Sequence, residues 1–215
     1  MVKHAAAVVF SSAVLAACSN VLGFEPATRD PLLDAAASGA GGALAEPSGT
    51  PCEVYCATVM EACPDGPPGE SYAQYDSIFT CEEQCRFFPL GSAGDERGNS
   101  IFCRLSSAEL ALRFPGERVT ACPAAGPGGD GVCGSNCEGY CALVQAECSS
   151  FESDTACLEA CADVPDPGGF NIGQIRGDSL GCRLYHLNAA LVSPANHCPH
   201  AAGGYPCAVS RPEHQ

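Results

Sequence analysis

Sixteen of the seventeen cysteines fall into two runs with one spacing pattern, and that pattern limits the fold more than any other feature. The first run is Cys52, Cys56, Cys63, Cys81, Cys85, Cys103, Cys122 and Cys133. The second is Cys137, Cys141, Cys148, Cys157, Cys161, Cys182, Cys198 and Cys207, and Cys18 stands apart from both. An even set of this size reads as a disulfide framework. Arrays of zinc sites are the competing reading, and they fit poorly because the chain has no Cys-x2-Cys pair.

Neighbouring residues repeat along with the cysteines. Cys52-Glu-Val-Tyr-Cys56-Ala aligns with Cys137-Glu-Gly-Tyr-Cys141-Ala, and each is followed by a third cysteine seven residues on. Cys103-Arg-Leu aligns with Cys182-Arg-Leu, and Cys122-Pro with Cys198-Pro. These matches imply an internal duplication. Only Gly134, Ser135 and Asn136 separate the two runs, so the copies are expected to pack end to end or nearly so.

Within each copy the apolar spacing is helical. Cys52, Tyr55, Cys56, Val59, Met60 and Cys63 occupy one face of a 3.6-residue period, as do Cys137, Tyr140, Cys141, Val144 and Cys148. Thr80 with Glu83 reads as a capping box opening a second helix. Ile101, Leu105, Ala108 and Leu112 mark a third, matched by Leu180, Leu184, Leu187 and Leu191. Gly- and Pro-rich stretches between these segments read as loops. Units of about 75–85 residues have marginal cores. Bridges contributing about 2–4 kcal/mol each are then the main stabilising device.

Two facing Cys-x3-Cys helices resemble the helical-hairpin frameworks of small secreted proteins. The resemblance implies Cys52–Cys85 and Cys56–Cys81 bridges, and likewise Cys137–Cys161 and Cys141–Cys157. Cys63, Cys103, Cys122, Cys133, Cys148, Cys182, Cys198 and Cys207 are left with their pairing open, since eight cysteines allow roughly a hundred connectivities.

The N-terminus has the architecture of a secretory signal: Lys3, an apolar run from Ala5 to Ala16, then small residues before Cys18. Its ending, Leu15-Ala16-Ala17-Cys18, resembles the lipobox of bacterial lipoproteins. The resemblance implies cleavage before Cys18, acylation of Cys18, and sorting to the outer membrane, because Ser19 stands where that family's inner-membrane retention Asp would be. Ser19 to Pro51 is rich in Ala, Gly, Pro and Ser and reads as a disordered tether.

Charge excludes one class of partner. The chain has net charge −15, and Lys3 is its only lysine. Nucleic-acid binding needs clustered positive charge, so it is not expected. No P-loop, dinucleotide fingerprint or Gly-x-Ser-x-Gly elbow occurs, so no catalytic residue is assigned. Gly126-Pro-Gly-Gly-Asp-Gly131 lacks the lysine of a phosphate loop and reads as a turn. Glu82 and Glu83 suit a solvated face, and Arg104 and Arg183 suit ion pairs or carbonyl contacts.

One difference between the copies carries chemistry. The second has His186, one turn after Cys182, and then His197 and His200 in a Pro194-containing loop. Ser107, Ala121 and Ala124 stand at the matching places in the first. Three imidazoles suit zinc or copper with an open position, against the plainer reading that they cap helices or bond loop carbonyls.

Stretches such as CRLYHLNAALVSPANHCPHA and CPAAGPGGDGVCG resemble uncharacterised cysteine-rich lipoproteins of GC-rich Gram-negative bacteria, a group that implies a fold and no activity. The expected chain is all-α: a signal peptide (1–17), a lipidated N-terminus and linker (18–50), module 1 (51–135), module 2 (136–209) and a tail (210–215). Each module is a helical hairpin plus a third helix. The expected role is a non-enzymatic binding or structural lipoprotein of the bacterial outer membrane, on its periplasmic or surface face. It would contact the membrane through its lipid and engage a protein or glycan partner without a cofactor. The alternative is a metal-binding or redox accessory protein using the three histidines.

Overall fold

The computed structural model describes residues 49–67 and 71–208. The signal segment, Cys18, the linker up to residue 48 and the tail from residue 210 lie outside the described residues. No helix among the described residues is long and apolar enough to cross a membrane.

Among the described residues the chain forms eight α-helices and no strands. The first half contributes α1 (Pro51–Ala62), α2 (Ile78–Cys85), α3 (Ile101–Arg113) and α4 (Arg118–Ala125). The second contributes α5 (Asn136–Cys148), α6 (Asp154–Cys161), α7 (Leu180–Ala190) and α8 (Pro194–Ala201). The all-helical expectation therefore holds, with one more helix per half than the hairpin-plus-third-helix scheme allows.

The helices start where side chains satisfy their free N–H groups. Thr50 with Glu53, and Ser135 with Glu138, form reciprocal capping boxes at α1 and α5. Ser77, Ser100, Ser153 and Ser179 cap α2, α3, α6 and α7. The Thr80–Glu83 box is corrected: α2 begins three residues earlier than that reading requires. The Ser77 hydroxyl accepts the Thr80 N–H at 3.1 Å, and Glu83 instead pairs with Arg86 at 2.8 Å.

Eight disulfides join the helices, none of them crossing between halves. The hairpin links are Cys52–Cys85, Cys56–Cys81, Cys137–Cys161 and Cys141–Cys157. The remaining eight cysteines form Cys63–Cys122, Cys103–Cys133, Cys148–Cys198 and Cys182–Cys207. In both halves the first cysteine meets the fifth, the second the fourth, the third the seventh and the sixth the eighth. Each last helix is thus tied to its hairpin.

Equivalent contacts reinforce that plan. Tyr55 Oη donates to the Ala125 carbonyl at 2.6 Å, and Tyr140 Oη to the Ala201 carbonyl at 2.9 Å. Fully buried Arg104 donates to the carbonyls of Ser100, Gly126 and Pro127 and lies 3.8 Å from the centre of the Phe88 ring. It makes the carbonyl contacts expected of it and folds the Gly126–Gly131 segment into a turn. Arg183 instead has Asp178 at 4.0 Å.

The described residues belong to one compact unit, and both halves lie inside it. The loop around Gln74 joins them. Gln74 Nε2 donates to the Phe170 carbonyl at 2.8 Å, Ile172 N to the Ala73 carbonyl at 2.9 Å, and Asn188 Nδ2 to the Gln74 carbonyl at 3.0 Å. A side chain at Gly139 would fall 2.1 Å from the Pro127 carbonyl, so only glycine lets that turn lie against α5.

Candidate metal centre

The segment holding His197 and His200 was expected to be a loop; it is helix α8. Pro194 explains the difference. It stands at the first helical position, where its missing N–H has no partner to lose and its fixed φ suits a helix. The consequence is chemical. Three residues apart on a helix, His197 and His200 share one face and act as a pair.

That face turns towards α7, which presents His186. Cys182 and His186 are one turn apart, and the Cys182–Cys207 bridge pins the start of α7 to the chain after α8. Cys148–Cys198 anchors the middle of α8 to the end of α5. Two bridges therefore set the separation of α7 and α8. Both sides of α7 are covered. Leu180, Leu184 and Leu187 are buried, and His186 itself is only 5% exposed. His197 and His200 are partly exposed.

The three rings converge. His186 Nδ1 lies 2.9 Å from His197 Nδ1. Ring centroids are 5.1 Å apart for His186–His197, 4.6 Å for His186–His200 and 5.7 Å for His197–His200. One potential ligand atom from each histidine lies within 4.8 Å of the others. His200 Nδ1 is buried without a hydrogen-bond partner. The 2.9 Å contact is a hydrogen bond between the His186 and His197 rings, and His186 also meets the Ile175 backbone in the loop before α7, as the plainer reading expects.

Electrostatics disfavours the charged forms of His186 and His200. Burial, followed by the neighbouring charges of His200 and His197, pushes His186 down to about 4; the Ile175 backbone acts weakly the other way. His200 is lowered too, first by burial and then by His197. Neutral imidazoles offer lone pairs, which is the form a metal ion requires. With bonds of about 2.0–2.1 Å, a tetrahedral zinc holds neighbouring nitrogens about 3.3 Å apart. The 2.9 Å pair would thus need to open by about 0.4 Å.

Cys182 Sγ and Cys207 Sγ form a second close group with His186. They are bonded to each other, so they provide a wall and no thiolate. In the first half, Ser107, Ala121 and Ala124 occupy the corresponding places on α3 and α4, and they are 8%, 3% and 3% exposed. Packing there leaves no donor set.

The helical state of α8 was the part missed from sequence. Pro194 directly after Ser193 carried the signal, as a proline at a first helical turn. Comparison with known proteins adds nothing to the geometry: no family model, no curated protein and no solved structure matches the chain.

Proposed function

We propose that the chain is an exported, lipid-anchored, non-enzymatic binding protein whose second half binds a transition-metal ion, zinc or copper, through His186, His197 and His200. The convergence of three imidazoles from two helices supports this reading. Imidazole is a good ligand for both metals, and bridges at Cys182–Cys207 and Cys148–Cys198 hold α7 and α8 in place without spending any histidine. The lipobox-like ending at Cys18 and the signal-like segment before it support export and anchoring to the outer membrane. The disulfide framework suits that oxidising setting. Shared disulfide order in the two halves supports duplication of one four-helix unit, with the histidines belonging to only one copy.

Metal analysis tests the binding. Full-length protein purified from an oxidising compartment should carry about one equivalent of zinc or copper, and His186→Ala should lose it. Sub-stoichiometric metal that is the same in parent and variant would sink the proposal.

A further inference from the structure

We infer that a metal held by the three histidines completes its coordination with a small anion from solvent. The inference rests on the metal-binding reading above and specifies what the site exchanges. Three histidines supply three neutral donors, so a divalent ion would keep its whole charge and at least one open position. Nothing else in the described chain fills that position: the cluster contains no carboxylate, and its two sulfurs are locked together. Glu147 is in the right neighbourhood, since its backbone carbonyl lies 3.9 Å from Cys198 Sγ of α8. Its carboxyl, however, interacts with Gln84 and Tyr75 of the other half.

The position also has an opening. His186 forms the buried floor, while the His197 and His200 side, on α8, is partly exposed. A doubly charged ion against a largely buried wall carries a desolvation cost. An anion on its open side offsets that cost, which makes an ion the size of azide or bicarbonate a better final ligand than neutral water. The partial exposure of His197 and His200 leaves that side open to such an ion from solvent.

Cobalt(II), whose visible spectrum reports coordination, is the probe. Full-length protein titrated with cobalt should develop a one-to-one spectrum that shifts saturably on adding azide or bicarbonate. By linkage, azide at ten times its own Kd should tighten apparent cobalt binding about elevenfold. His197→Ala, altering a partly exposed ring, should abolish the azide-sensitive spectrum. A cobalt spectrum indifferent to both anions would overturn the inference and leave the metal-binding reading standing. Absence of any cobalt spectrum would overturn both. A glutamate-rich peptide shifting the spectrum as strongly as azide would reassign the position to a partner's side chain and overturn the small-anion inference.

Discussion

Arg104 is buried and half-buried Glu147 hides its carboxylate oxygens from solvent, and the two charge-bearing groups meet desolvation differently. Arg104 keeps its hydrogen bonds by turning to backbone carbonyls, so its burial is compatible with a charged guanidinium. Glu147 has no such acceptance. Its carboxylate oxygens are shut off from solvent without a well-formed hydrogen bond. Burial raises its carboxyl to about 8, offset only partly by the Gln84 amide. Because the folded state holds this proton more tightly than the unfolded chain, its stabilising contribution is complete below about pH 4.5 and is lost as pH rises through about 8. Thermal unfolding should therefore show stability falling across that window, by an amount on the order of 3–5 kcal/mol. Glu147→Gln should remove most of that dependence and be the more stable protein at the alkaline end. An unchanged pH profile in the variant would show that Glu147 does not carry the effect. None of this was legible in the sequence, where Glu147 sits unremarkably between Ala146 and Cys148; its burial comes from the other half of the chain.

At the scale of elements, the spacing of apolar residues located α1, α3, α5 and α7, because their buried faces repeat every turn, and the facing Cys-x3-Cys segments located α2 and α6. The first turn of α2 was misread, α8 was read as a loop and α4 was not assigned, each for local reasons. Two hydroxyls, Ser77 and Thr80, compete to cap α2, and only the backbone path selects Ser77. Ser77→Ala should accordingly destabilise the protein by about 1 kcal/mol in denaturant titration. Thr80→Ser should cost much less, because Ser keeps the hydroxyl and the cap is unaffected. Equal losses would contradict the assignment. In α8, Pro194 suggested a loop, and the helix holds two prolines. The first is harmless at the helix start, and the second, Pro199, lies inside a helix of only eight residues tied by Cys198 to α5.

For the whole molecule, the disulfide order is the organising fact. Both halves close their hairpins with two bridges, fasten the last helix to the first with a third, and tie the third helix to the chain beyond the fourth. Intact mass spectrometry should show a gain of sixteen hydrogens on full reduction, two for each of the eight bridges. Protein taken from membranes should also carry an acyl mass that disappears in Cys18→Ser. A smaller hydrogen gain would mean free thiols, and an unchanged mass in the variant would remove the anchor. The sequence by itself determined the helical class and the two cysteine runs, because periodicity and spacing are local properties of a chain. It also exposed the three histidines as a difference between copies. Tertiary structure alone decided that the last four cysteine pairs close as they do, that α8 is a helix facing α7, and that His186 meets His197 and His200. Those outcomes depend on the separation and orientation of helices far apart in sequence, which packing and cross-links establish and no local pattern encodes.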